Sequence, residues 1–117
     1  MNRTPQQVEG RLSEEEALAY LQAQGLALVE RNFLCKAGEL DLIMRDGPGL
    51  VFVEVRKRAS TRFGGALWSI TPAKQKRLVR AAQYYLLRYH QVPPCRFDVI
   101  AIENGQLRWL RNVLEIM

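Results

Sequence analysis

The sequence contains few of the residues from which many active sites are assembled. It has one histidine, His90, and two cysteines, Cys35 and Cys95. One histidine gives little basis for a histidine–carboxylate metal cage or a Cys–His catalytic pair. The cysteines lack zinc-ribbon spacing and are too few for a secreted disulfide framework, so they read as small buried hydrophobes in a reducing compartment. No apolar run approaches the roughly 20 residues that span a bilayer. The opening MNRTPQQVEG lacks the apolar stretch of a signal peptide. These absences lead to the expectation of a cytoplasmic protein with no membrane partner. Gly64-Gly65 is not followed by the Gly-Lys-Ser/Thr of a P-loop.

Acid is also missing, but only locally. Between Val55 and Phe97 there is no Asp or Glu, and the stretch carries Arg56, Lys57, Arg58, Arg62, Lys74, Lys76, Arg77, Arg80, Arg88 and Arg96. Residues 1–54 hold nine acids against five bases. A one-signed block beside an acidic one suggests a face for a polyanion, namely nucleic acid. A solvated basic helix would have the same composition.

A chain of 117 residues with 48% hydrophobic content is about one domain with one packed core. Residues 1–10 read as a flexible tail and 11–117 as the domain. Ser13, with Glu16 three residues on, reads as the capping box of a first helix that Gly25 ends. Strand-like runs follow at Leu26–Leu34, Glu39–Arg45 and Leu50–Arg56. A basic loop holding Phe63 and Trp68 leads to a second helix, capped by Thr71 or Ser69 and stopped by Pro93-Pro94. Arg96–Ile102 and Gln106–Arg111 flank the hairpin signal Asn104-Gly105. The order is α-β-β-β-α-β-β, an α/β domain with a central mixed sheet of about five strands flanked by helices.

The chemistry gathers on the hairpin of the second and third strands. Pro48 argues against a turn that needs positive φ at both central residues, so a four-residue loop, Asp46–Gly49, is expected. It pairs Arg45 with Leu50, Asp41 with Glu54 and Glu39 with Arg56. Strict alternation would put Glu39, Asp41 and Ile43 on one face. Like charges opposite one another in a sheet destabilise it unless something neutralises them. A divalent cation would, and an all-oxygen set favours Mg2+ or Mn2+. A structural alternative has Glu39 and Arg56 as a cross-strand ion pair, Asp41 capping a turn and Glu54 solvated. Asp98 reads as a strand-start acid paired with Arg96 or another base, with a place in the site as the alternative.

The runs Gly38-Glu39-Leu40-Asp41-Leu42-Ile43, Val51-Phe52-Val53-Glu54-Val55-Arg56 and Arg96-Phe97-Asp98-Val99 closely resemble the YraN-like family of uncharacterised bacterial proteins. Gly10, Glu14, Ala17, Tyr20 and Leu21 match its first helix, and Phe63, Gly64, Lys74, Leu78 and Ala81 its middle. The resemblance implies the PD-(D/E)XK nuclease superfamily, a restriction-endonuclease-like core and similarity to archaeal Holliday-junction resolvases. By that pattern Asp41 and Glu54 hold the metal, Val55 adds its backbone carbonyl, and Glu14 and Glu39 are further acids near it. Arg56 stands where the pattern has a catalytic lysine. It can clamp phosphate but cannot act as a base. Lys74, or Gln75 beside it, is the candidate to reach the site instead. Lys57, Arg58, Arg62, Lys74, Gln75 and Arg77 are the expected nucleic-acid contacts. The implied activity is Mg2+-dependent cleavage of structured or branched DNA, with a homodimer where both strands of a junction are cut. The alternatives are a non-catalytic nucleic-acid-binding module and a protein-binding adaptor.

Overall fold

The computed structural model describes residues 4–58 and 70–116, apart from the side chains of Gln6 and Arg58. Helix α1 is Pro5–Ala23 and helix α2 is Pro72–Leu86. The strands are β1 (Ala27–Cys35), β2 (Gly38–Asp46), β3 (Gly49–Arg58), β4 (Cys95–Glu103) and β5 (Gln106–Leu114). They form one sheet in the order β1-β2-β3-β4-β5. The β3–β4 pair is parallel and the other neighbours are antiparallel. The expected mixed α/β architecture and element order are therefore present. Neither helix is long and apolar enough to cross a membrane.

The central strands are apolar on both faces because each face is covered. Leu50, Phe52, Phe97 and Val99 pack with Leu78, Ala81, Ala82 and Tyr85 of α2. Val51, Val53, Ile100 and Ile102 pack with Ala17, Leu18 and Leu21 of α1. Thr71 caps α2 by accepting from the Lys74 N–H at 3.1 Å.

The start of α1 differs from expectation. Thr4, not Ser13, is the cap. It accepts from the Gln7 N–H at 3.1 Å while Gln7 Oε1 accepts from the Thr4 N–H at 2.9 Å. Pro5 follows at the first helical position, where its missing N–H costs nothing. Residues 5–10, expected as tail, are thus helical. Ser13 lies inside the helix and its hydroxyl donates to the Glu9 carbonyl at 3.0 Å.

The β2–β3 hairpin keeps the expected register, Arg45 opposite Leu50, with a shorter loop. Asp46 pairs with Gly49, leaving only Gly47 and Pro48 between the strands. Gly47 has φ +59, and proline fixes the next φ negative. That sign pattern is the primed turn with glycine first, which tolerates proline second. Asn104 and Gly105 both have positive φ, as their hairpin demands.

Asp98 is fully buried and satisfied. It accepts from Arg96 Nε at 3.1 Å, the Trp109 indole at 2.9 Å and the Asn112 N–H at 2.8 Å. It therefore braces the β4–β5 register shift between Phe97 and Val99, away from the candidate site. Asp98→Ala strands these donors and should cost roughly 3–5 kcal/mol, read as a lower urea midpoint. A loss under about 1 kcal/mol would show the network to be dispensable.

Candidate active-site cleft

The site is built where two paired strands part. The β2–β3 ladder runs from Asp46–Gly49 to Leu42–Val53 and stops. Beyond it β2 continues against β1 to Gly38, and β3 continues beside β4 to Arg58. In the fork the Val55 N–H donates to Asp41 Oδ2 at 2.8 Å, so a side chain supplies the missing ladder partner. Alternation also slips here. Leu40 and Ile43 both pack on the α2 side, while Leu42 and Met44 lie on the α1 side. The expectation that Glu39, Asp41 and Ile43 share a face therefore fails. Opposite the slip, Asn32 of β1 takes a left-handed φ of 52°.

A cleft of about 630 Å³ opens at the fork. Asp41 lines it from β2, Glu54, Val55, Arg56 and Lys57 from β3, Glu14 from α1 and Lys74 from α2. Glu54 is only 3% exposed. Arg56 Nε lies 3.3 Å and Lys74 Nζ 3.7 Å from the same Glu54 Oε2. The Arg56 contact lacks hydrogen-bond alignment, since its buried Nε has no hydrogen-bond partner among the described residues. Lys57 Nζ meets Glu9 Oε1 of α1 at 3.2 Å.

Crowded acid is the dominant electrostatic feature. Burial, then the Asp41 charge and a hydrogen bond with Asp41, push Glu54 up to about 8, against the pull of Lys74 and Arg56. Partial burial, then Asp41 and Glu39, push Glu14 up to about 7, against Arg31 and Arg11. Both acids therefore hold a proton more tightly than an ordinary carboxyl, Glu54 more so than Glu14. The anionic donors that line the cleft are carboxylate oxygens, which are hard ligands. Among the described residues no group of three or more His, Cys, Asp or Glu is placed to hold a metal ion.

Not every expected residue reaches the cleft. Glu39 is exposed and pairs with Leu34 of β1, so it makes neither the predicted pair with Arg56 nor part of the lining. Gln75 turns away, its side-chain amide donating to the Ile70 carbonyl at 3.1 Å. It lines a separate cavity of about 610 Å³ with no titratable residue among the described ones. Arg77 is exposed beside the β1–β2 turn, its Cβ 3.9 Å from where a Gly38 side chain would begin. Arg62 and the Arg58 side chain lie outside the described residues, as do Phe63 and Trp68. Cys35 and Cys95 are free and half-buried. Three lining residues were not expected: Glu9, Gly10 and Ser13 of α1. The signal that would have revealed them is the Thr4-Pro5-Gln6-Gln7 capping box, which extends α1 along the cleft.

The description "Uncharacterised protein family UPF0102" matches residues 13–102, a segment that holds both carboxylates of the fork, Arg56 and Lys74. The chain belongs to this family. The UPF0102 protein of Herminiimonas arsenicoxydans is 60% identical over 113 residues, covering 97% of this chain and 91% of the relative. That of Janthinobacterium sp. (strain Marseille) is 59% identical, covering 97% and 92%. That of Cupriavidus metallidurans is 57% identical over 109 residues, covering 92% and 81%. The UPF0102 match runs from within α1 to near the end of β4, leaving out β5 and the first turns of α1.

Proposed function

We propose that this UPF0102 protein is a Mg2+- or Mn2+-dependent endonuclease of the PD-(D/E)XK type, acting on structured or branched DNA. The observation that carries the reading is the forced meeting of Asp41 and Glu54 at the fork, with Lys74 and Arg56 on one Glu54 oxygen. Asp41, Glu54 and the Val55 carbonyl would hold the cation, with Glu14 beside them. Bound there, a divalent cation supplies positive charge for the phosphate and makes water a better nucleophile. The chain's own part is to orient and exclude. Arg56 presents its guanidinium fork to phosphate oxygens. Lys57 and Lys74 add charge along the cleft, and a homodimer would cut both strands of a junction.

Lys74 takes the lysine role that Arg56 cannot fill. Its ammonium approaches the carboxylates from α2, whereas the pattern has its lysine on the strand. Lys74→Met should lower turnover about 10²–10⁴-fold, the range of a lost proton-handling group, while Arg56→Lys keeps most of it. The reverse hierarchy would return the role to position 56. The direct test is a cleavage screen of duplex, single-stranded and four-way-junction DNA, and of RNA, with Mg2+ and Mn2+. Product that depends on the cation supports the reading, and none on any substrate overturns it.

Arg56 itself favours a second reading, a nucleic-acid-binding module without cleavage. It gives binding that weakens steeply with salt and no product under any cation.

A further inference from the structure

We propose that Gly10 is where the backbone of a bound nucleic-acid strand passes against helix α1, and that the residue is glycine to leave room for it. This rests on the nuclease reading above and adds the course of the substrate.

Glycine inside a helix is costly relative to alanine, so its presence calls for a reason. Three ordinary reasons fail for Gly10. Its backbone is helical, whereas Gly25, Gly38, Gly47 and Gly105 carry φ of +97, +152, +59 and +77. It ends nothing, because α1 begins at Pro5 and continues to Ala23. Packing among the described residues does not exclude a side chain either, since a Cβ there would meet none of their atoms within 4 Å. Gly49 is the contrast: a Cβ there would lie 3.2 Å from the Pro94 carbonyl oxygen, so the fold itself requires glycine. What Gly10 does face is the cleft.

Its position fits a polymer better than a small ligand. Gly10 and Glu14 share a helix face one turn apart, about 6 Å along the axis. Across the cleft, Glu54 and Lys57 are separated by about 10 Å of extended strand. Cations stand at both ends of that span: Arg56 and Lys74 beside Glu54, and Lys57 beside Glu9. A strand with one phosphate at Asp41 and Glu54 would cross Gly10 with the adjoining sugar. It would present a neighbouring phosphate to Lys57, displacing Glu9. Both partners of the Lys57–Glu9 pair are about half exposed, so the exchange is open to solvent.

The test uses the full chain, Gly10→Ala and Gly10→Leu. Melting temperature, Mn2+ affinity by calorimetry and affinity for a fluorescent single-stranded DNA oligonucleotide at low salt are measured for each. The inference expects unchanged Mn2+ affinity and an equal or higher melting temperature for Gly10→Ala. It expects oligonucleotide affinity to fall several-fold for Gly10→Ala and at least about tenfold for Gly10→Leu, the effect of overfilling a contact. Alanine keeps the test meaningful if the leucine variant fails to fold. Variants that bind the oligonucleotide as the parent does would overturn the inference and leave the nuclease reading standing. A parent that binds Mn2+ but no oligonucleotide would overturn the inference alone. A parent that binds neither would overturn the inference, and the cleavage screen above decides the nuclease reading separately.

Discussion

Asp41→Asn is expected to abolish measurable Mg2+ and Mn2+ binding and to lower cleavage by at least about three orders of magnitude, with the fold intact. The substitution separates the two tasks of one side chain. Its structural task is to accept the Val55 N–H at 2.8 Å in the fork, and an amide oxygen of the same shape can do that. Its electrostatic task is to bring charge and two ligand oxygens beside Glu54, and an amide cannot. Removing that charge also removes one cause of the raised Glu54 and Glu14, so both acids should ionise more readily in the variant. Calorimetric titration with each cation, alongside circular dichroism, reads both tasks. Full-strength Mn2+ binding in a folded Asp41→Asn protein would remove the fork as the metal site.

The second large effect concerns the metal-free protein and acidity. In the unfolded chain Glu54 titrates near the ordinary 4.5, and in the folded chain near 8. Between those values the folded state holds a proton that the unfolded state has released. Stability must therefore fall as pH rises through this window, and the penalty is complete above it. Glu54→Gln cannot ionise, so in chelator it should match the parent near pH 5. It should exceed the parent by a few kcal/mol near pH 8, the scale of a multi-unit shift. Cation should stabilise the parent more at pH 8 than at pH 6, because it replaces the proton. Urea midpoints at three pH values decide the matter. Parallel pH profiles for parent and variant would mean that Glu54 ionises as freely folded as unfolded.

What could be read from the sequence follows from where burial leaves a pattern. Helix α2 was legible because Leu78, Ala81, Ala82 and Tyr85 recur at helical spacing and are buried. The β2–β3 register was legible because counting back from the turn is insensitive to whether Asp46 and Gly49 belong to loop or ladder. The first turns of α1 were not legible. Val8 and Leu12 are exposed, so this part of the helix shows no apolar stripe and only its cap marks it. Within the cleft, chemical type pointed to Asp41, Glu54 and Arg56, since few residue types suit a phosphate and a hard cation, and the family resemblance pointed to Lys74. Strict alternation misplaced Glu39, because the slip at Asp41 arises from a fork in three dimensions and leaves no trace in residue order. Gln75 failed for a similar reason: one helical step carries its amide to Ile70 while Lys74 reaches Glu54.

The bond from the Val55 amide to Asp41 also makes that single proton a gauge of the fork. Its exchange with solvent requires the carboxylate to let go, and its resonance responds to whatever the carboxylate binds. A spectrum of the backbone amides would therefore register arrival of a cation, or of a strand that disturbs it, at one identifiable position. It would do so in a protein that never turns over, and before any substrate has been identified.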